Sequence, residues 1–275
     1  MALRDITIHD LIVRNAVLHG ERTAFVDGAR RFSHAQHHAR VQRLAQGLHR
    51  AGVVAGDRIA VLAHNRVETI EMIGAAARLG VIVVPVNWRL GNDEVAFVLA
   101  DTTPRLLIAG PECESLLAAS QPRVLYGAPF NALYVEPDGT LPEAAGAGTV
   151  LIVHTAAVGG RPRGAVLSQF GLVASGLMAI ERWRVGPADV NLGVLPLFHV
   201  AALGLLFAAQ WAGGCTVLSA RFDPPALLAQ LSAESGSLLG VFPPMLGALL
   251  DAAATNRSDL SSLRCLCLLY TSRCV

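Results

Sequence analysis

The residues best suited to chemistry in this 275-residue chain lie in one segment rich in glycine and arginine, His154–Ser168. The segment follows a strand-like apolar run and reads HTAAVGGRPRGAVLS, with three glycines and two arginines. Glycines let a loop turn its backbone N–H groups inward, which creates a concavity that binds anions, phosphate above all. Arginines add fixed positive charge and directional donors. The segment therefore predicts a phosphate loop that holds a nucleotide.

Common nucleotide-binding signatures do not fit this loop. Gly159 and Gly164 have the spacing of a Walker loop, but Ala165 and Val166 stand where that loop needs Lys and Ser or Thr. The chain contains no G-x-G-x-x-G motif. Taken alone, the segment has an alternative interpretation as a plain glycine-rich connection between strands.

The loop resembles the phosphate loop of the adenylate-forming enzymes, which include acyl-CoA synthetases, peptide-synthetase adenylation domains and luciferases. Their pattern is T-S-G-[ST]-T-G-x-P-K-G, followed by a Ser-His pair. The matching positions here are Thr155, Gly160, Pro162, Gly164 and Ser168. The differing positions are Ala156, Ala157, Val158 and Gly159, together with Arg163 for the Lys and Gln169 for the His.

Other segments resemble the same family in the same order along the chain. They are Phe32–Leu48, Gly56–Leu62 with Asn65, Ala76–Leu90, Leu195–His199 with Gly204, Val241–Met245 and Asp259–Arg264. The resemblance covers roughly residues 8 to 266. It implies a fold of the α/β class, with parallel, doubly wound sheets flanked by helices, as part of the family's large N-terminal domain.

The resemblance also implies an activity and its site. Family members use ATP and Mg²⁺ to convert a carboxylic acid into an acyl-adenylate, which a thiol such as that of coenzyme A then attacks. The Leu-Pro-Leu-Phe-His context implies that His199 is catalytic, beside the acyl pocket and the adenylate. The implied phosphate-binding residues are Thr155, Gly159, Gly160, Arg161, Arg163 and Gly164.

The loop lacks most of the hydroxyl side chains of the family pattern, and this leaves two functions open. Each lost hydrogen bond to a charged phosphate costs about 1.5–3 kcal/mol, which predicts weaker ATP binding than an intact loop gives. Arg161 and Arg163 together could compensate. The first function is therefore an acid–thiol ligase with a fatty or aromatic acid as substrate. The alternative is a non-catalytic nucleotide- or acyl-binding remnant.

Composition narrows the class of protein. Apolar residues make up 53% of the chain and charged residues 16%, which favours a globular protein with a sizeable core. The net charge of +1 argues against a nucleic-acid partner. All 22 basic residues are arginine, so the chain has no lysine for catalysis. Five cysteines suggest neither a disulfide framework nor a zinc site, and with no apolar signal core they predict a cytoplasmic protein.

Helical and strand patterns alternate along the chain, which predicts a parallel sheet architecture. Ser33 and Gln36 form a predicted capping box, and Asn92 is predicted to cap a later helix. The apolar run Leu192–Leu218 is interrupted by polar residues and proline, so we expect a buried strand, turn and helix there rather than a membrane span. His34, His37 and His38 lie at a helix start and are expected to be solvated.

The chain is expected to contain two subregions, about residues 1–135 and 149–266, joined by a connection at 136–148 that is rich in Pro, Gly and Ala. Residues 267–275 do not resemble the family, and we interpret them as a foreign or frameshifted end. The family's later motifs and small C-terminal domain, with its catalytic lysine, are not found in this sequence. We therefore expect the isolated chain to be inactive.

Overall fold

The structure is a computed structural model that describes residues 5–142, 145–155, 161–256 and 258–269. Within these residues, two six-stranded sheets carry the fold. Sheet A has the order β12-β11-β9-β10-β1-β2, from strands β1 (Thr23–Asp27), β2 (Arg30–Ser33), β9 (Val190–Gly193), β10 (Cys215–Leu218), β11 (Leu238–Val241) and β12 (Cys265–Leu268). Sheet B has the order β6-β5-β3-β4-β7-β8, from β3 (Arg58–Leu62), β4 (Ile82–Pro85), β5 (Leu106–Ala109), β6 (Val124–Leu125), β7 (Thr149–His154) and β8 (Gly164–Ser168).

Nearly all neighbouring strands run parallel, and the antiparallel pairs are β1 with β2 and β7 with β8. Parallel sheets need helices on their faces, because their strands are buried on both sides. The described helices are α1 (Ile8–Leu18), α2 (His34–Arg50), α3 (Val67–Leu79), α4 (Asn92–Thr102), α5 (Ala128–Asn131), α6 (Gln169–Trp183), α7 (Val200–Ala212), α8 (Pro224–Glu234) and α9 (Pro243–Asn256). The predicted α/β class with parallel sheets is confirmed.

The helices form three layers around the two sheets. The largest apolar cluster joins both sheets through α1, α2, α3, α6 and α7, so these helices lie between the sheets. A second cluster packs α4 on the outer face of sheet B. A third packs α8 and α9 on the outer face of sheet A. The central strands are thereby covered on both faces, while the edge strands β8 and β12 keep exposed residues.

Each sheet takes strands from both ends of the chain. The expectation that the segment at 136–148 joins two sheet units is wrong, because it leads from β6 to β7, which lie in the same sheet. Sheet A is completed by the β1–β2 hairpin, which pairs in parallel with β10 across a register of Phe25 with Thr216. The two-residue loop Gly28-Ala29 of this hairpin has glycine at its first position, where hairpin turns favour it, and Gly28 has a φ of +60°.

Helix ends follow the local sequence in two of three predicted places. Ser33 caps α2 with a reciprocal bond to Gln36, as predicted. Helix α3 ends at Gly80, whose φ of 72° lies in the left-handed region that favours glycine. The prediction that Asn92 caps α4 is wrong. Gly91 is the capping residue, its N–H donates to Glu94, and the Asn92 side chain donates to Ser115 instead.

The prediction that the α2 histidines are solvated is wrong for His34 and His37. Both are 1% exposed, because α1 and sheet A cover the first turns of α2. His34 Nε2 lies 3.3 Å from the Gly213 carbonyl oxygen, and His37 packs edge-on against Phe25. His38 is half-buried and its Nε2 lies 3.1 Å from the Gln42 amide.

The apolar run Leu192–Leu218 forms the end of β9, a loop, α7 and β10, as the interrupted pattern predicts. No helix among the described residues combines the length and the hydropathy of a membrane span.

Candidate functional site

The glycine- and arginine-rich loop connects two paired strands. His154 at the end of β7 pairs with Gly164 at the start of β8. The Thr155 N–H donates to the Arg163 carbonyl at 3.0 Å, and the Thr155 hydroxyl reaches the same oxygen at 3.4 Å. These bonds join the two ends of the loop where it leaves sheet B. The predicted phosphate-binding Gly159 and Gly160 lie outside the described residues.

Gly164 has a packing role in addition to its predicted binding role. A Cβ atom at this position would lie 2.8 Å from Ile152 Cγ2 and 3.3 Å from His154 Nε2. A side chain would therefore push β8 away from β7 at the base of the loop. His154 is fixed on its other side, where its Nε2 lies 3.3 Å from a carboxylate oxygen of Asp101.

The two loop arginines differ in their surroundings. The Arg161 guanidinium lies 5.1 Å above the Phe97 ring of α4, a cation–π contact that holds it against sheet B's outer helix. Arg163 is exposed and follows the buried Pro162. Arg161 is exposed as well, and Arg163 is the exposed arginine at the position of the family's lysine.

His199 begins α7 and is held by that helix. Its Nδ1 accepts a hydrogen bond from the Ala201 N–H at 3.1 Å. A ring nitrogen that accepts a hydrogen bond carries no proton, so the single ring proton of the neutral His199 lies on Nε2. Burial lowers the pKa of His199, and the charge of Arg89 lowers it further. His199 is therefore a neutral imidazole whose Nε2–H is a donor.

Asn65 fixes the segment that carries His199. This residue is 5% exposed and follows β3 in sheet B. Its side-chain nitrogen donates to the Leu195 carbonyl at 2.8 Å, and also lies within 3.3 Å of the carbonyls of Gly193 and Ser219. Its oxygen accepts from the Leu197 N–H at 2.9 Å. The Asn65 side chain thus joins sheet B to the ends of β9 and β10. One of its partners, Leu195, lies four residues before His199.

A groove of about 370 Å³ lies between β8 and the first turns of α6 and α7. It is lined by Val166, Leu167, Ser168, Gly171, Leu172, Ser175, Val200, Gly204 and Phe207. The two helices touch at Gly176, where a Cβ atom would lie 2.7 Å from the Trp211 ring. They separate toward Gly204, where an added Cβ would meet nothing within 4 Å. The sequence indicated an apolar stretch here but gave no sign of a groove.

None of the predicted site residues that the structure describes lines this groove, but chain neighbours of the loop and of His199 do. Strand β8 leaves the loop and lines the groove, and Val200 follows His199 and lines it from α7. The exposed charge of Arg163 and the Thr155 hydroxyl suit the phosphates of a nucleotide. Among the described residues, no group of three or more His, Cys, Asp or Glu side chains is placed to hold a metal ion.

Comparison with known proteins identifies the family of the chain. The AMP-binding enzyme family matches residues 12–271. Feruloyl-CoA synthase of an Amycolatopsis species is 34% identical over 256 residues, which are 92% of this chain and 52% of that protein. Indoleacetate–CoA ligase of Aromatoleum aromaticum is 31% identical over 273 residues, 94% of this chain and 54% of that protein.

Solved structures share the fold. A Rhodopseudomonas palustris protein assigned as a long-chain-fatty-acid CoA ligase has a TM-score of 0.88 and 42% identity, over 98% of this chain and 71% of that one. The o-succinylbenzoate CoA synthetase of Bacillus subtilis, in complex with ATP and magnesium, has a TM-score of 0.80 and 26% identity, over 94% and 54%. The chain belongs to the AMP-binding enzyme family. It spans about half the length of the curated relatives it matches.

Proposed function

We propose that this chain supplies the phosphate loop and the acid-binding groove of an ATP-dependent acid–CoA ligase. The observation that carries the proposal is the shared wall of the two features, because β8 runs out of the loop and directly along the groove. A carboxylate in the groove would lie near a nucleotide phosphate on the loop. Such a placement converts a two-molecule reaction into a reaction between held partners.

The proposed reaction has two steps. A carboxylate oxygen attacks the α-phosphorus of ATP, the bond to the β-phosphate oxygen breaks, and pyrophosphate leaves. The thiol of coenzyme A then attacks the acyl carbon, and AMP leaves. Arg163 offsets negative charge on the phosphates, and the neutral His199 donates its Nε2–H to an oxygen of the bound acid or adenylate.

The groove favours an apolar acid. Its walls are mainly aliphatic and aromatic, its volume suits a ring with a short chain, and Ser168 and Ser175 are its polar contributions. The relatives named feruloyl-CoA synthase and indoleacetate–CoA ligase point the same way. We therefore propose an aromatic or fatty acid as the substrate.

An ATP titration with Mg²⁺ tests the phosphate loop. We expect Arg163→Ala to weaken ATP binding by about 10- to 100-fold, because it removes the exposed cation at the position of the family's lysine. Arg182→Ala, an exposed arginine on α6, is the matched control and should bind ATP as the wild type does. Absence of binding in the wild type, or equal binding by both variants, would support the non-catalytic remnant that the altered loop suggests.

Turnover is a separate test, because the chain spans about half of its ligase relatives. Pyrophosphate release and thioester formation should be measured with ATP, coenzyme A and ferulate, indoleacetate or a fatty acid. We expect no release from the 275-residue chain alone. Acid-dependent release from this chain would contradict that prediction while supporting the proposed reaction.

Filling the groove should block the acid. Gly204→Leu places a side chain in the open space between α6 and α7, so we expect at least about tenfold weaker binding of ferulate or dodecanoate, measured by calorimetry. Gly247→Leu is the matched control, since Gly247 is also helical with nothing within 4 Å of an added Cβ, but lies on α9 outside the groove. Equal acid binding by the two variants would place the acid elsewhere.

A further inference from the structure

A second large cavity, the arginine cleft, lies away from the loop and the groove. Its volume is about 490 Å³, and its walls include Arg30, Arg40, Arg43, Arg66, Tyr126 and Tyr134. No residue of the acid-binding groove belongs to it. Four guanidinium groups around one cavity form an unusual concentration of cations in a chain whose net charge is +1.

The cleft occupies a position where parallel sheets commonly bind ligands. Arg66 comes shortly after β3 and Tyr126 directly after β6, so both lie beyond the carboxyl ends of parallel strands. Crevices at these ends are the usual ligand sites of open α/β sheets. Strand β3 leads to Arg66 and strand β7 leads into the phosphate loop, and β4 lies between these strands in sheet B. About 10 Å of sheet therefore separates this wall of the cleft from the loop, while β6 lies farther away at the sheet edge.

Each arginine of the cleft is oriented by a carboxylate. Arg40 makes a two-point contact with Glu71, Arg43 pairs with Glu136 at 2.9 Å, and Arg66 pairs with Glu112. Arg30 pairs with Glu68 and with Asp27. Among these carboxylates, Glu68 is the one that lines the cavity. The others hold their arginines from outside the lining, which leaves the cavity wall mainly cationic.

Three of the arginines keep unused donors. Glu71 occupies Nε and one terminal nitrogen of Arg40, while Arg43 and Arg66 each use one terminal nitrogen. Nε of Arg43 and of Arg66 has no hydrogen-bond partner among the described residues. These two Nε atoms are buried, so the donors left for a ligand are the terminal nitrogens that no carboxylate occupies.

Aromatic rings hold two of the guanidinium groups in place. The guanidinium of Arg66 lies 4.6 Å from the centre of the Tyr126 ring, and that of Arg40 lies 4.4 Å from the centre of the Tyr134 ring. The Tyr134 hydroxyl also donates to Glu71, so the ring and the carboxylate fix Arg40 together. Arginines held in this way lose little freedom when a ligand binds.

We propose that the arginine cleft binds a small compound with two or more linked phosphate groups, independently of the phosphate loop. Guanidinium groups pair with phosphate oxygens through two parallel bonds, and several converging arginines suit several linked phosphates better than one carboxylate. The volume of the cleft is large enough for a nucleoside polyphosphate. The ligand bridges arginines of β2, α2 and the β3–α3 connection.

Inorganic tripolyphosphate is the probe, and calorimetry on the 275-residue chain is the measurement. The background is Arg163→Ala, which removes one of the two exposed arginines of the phosphate loop. In that background we expect Arg43→Gln to weaken binding by about tenfold or more. Arg50→Gln is the matched control: Arg50 lies on the same helix and pairs with Asp138 much as Arg43 pairs with Glu136, but it is outside the cleft. We expect its binding to be unchanged.

A variant that is expected to strengthen binding shows that weaker binding in the other variants does not come from loss of the fold. Glu68→Gln removes the carboxylate that lines the cavity, so it should tighten tripolyphosphate binding. No binding in the Arg163→Ala background, equal loss in the Arg43 and Arg50 variants, or weaker binding by a folded Glu68→Gln protein would each overturn the proposal. Because all these variants share one background with the same phosphate loop, the differences between them report on the cleft whether or not the proposed ligase function holds.

Discussion

Replacing Asn65 with alanine is expected to lower the free energy of unfolding by about 3 kcal/mol, because several buried hydrogen bonds disappear together. The Leu197 N–H loses its acceptor and the Leu195 carbonyl loses its closest donor, both in the interior. The loss would be measured by urea denaturation at pH 7.5. The His199 segment would also lose its link to sheet B, so we expect altered ring nitrogen shifts for His199 in NMR spectra.

Two further variants decide whether the Asn65 amide acts as described. Asn15→Ala is a matched buried asparagine, 1% exposed, whose side chain donates to the Gln210 carbonyl. Asn15→Ala should lower the free energy of unfolding by less, about 1 kcal/mol, and leave the NMR signals of His199 unchanged. Asn65→Asp directs a carboxylate at carbonyl oxygens, which raises its pKa in the folded state. Its deficit relative to the wild type should therefore shrink as the pH falls. A small Asn65→Ala effect with unchanged His199 signals would contradict the assigned role.

Lowering the pH from 7 to 5 is expected to destabilise the protein through three buried histidines. Burial is the main cause that lowers the pKa of His9 and of His34 to about 4 and the pKa of His37 to about 3. In the unfolded chain these groups take up protons below about pH 6.5. Stability from their neutral forms is therefore complete above pH 6.5 and is lost as the pH falls toward 4. At pH 5 the loss is about 2 kcal/mol for each histidine.

His37→Leu separates the histidine effect from general acid destabilisation. Neither ring nitrogen of His37 has a hydrogen-bond partner among the described residues, and Phe25 packs beside the ring. The variant should resemble the wild type at pH 8 and be more stable at pH 5, by urea denaturation at both values. An unchanged slope of stability between pH 7 and pH 5 would show that His37 is not a source of the acid sensitivity.

Local signals predicted the elements that depend on local chemistry. Helix α3 was predicted from its apolar spacing and the glycine that ends it, and β10 and β11 from short apolar runs. The β1–β2 hairpin and α1 were missed. Their places are set by partners far along the chain, although the Thr7–Asp10 capping box of α1 was readable. Burial of His34 and His37 could not be predicted, because it depends on how α1 and sheet A pack over α2.

The candidate site also has parts that the sequence predicted and parts that it did not. The loop and His199 were predictable because a family pattern names them. The groove was not, since it exists only where α6 and α7 diverge beyond their contact at Gly176. Asn65 was noted as a position in a pattern, but its bonds to β9 and β10 need the two sheets to be brought together. The arginine cleft gathers residues from four separate segments, so no local pattern could predict it.

The pairing of β1 with β10 has a consequence for synthesis on the ribosome. Phe25 cannot pair until Thr216 has been made, about 190 residues later, which takes roughly 10–40 s at ordinary rates of translation. During that interval the apolar face of the hairpin has no sheet to join. Contacts of such long sequence separation also slow folding itself. The nascent chain is therefore most exposed to aggregation, and most dependent on chaperones, before β10 has left the ribosome.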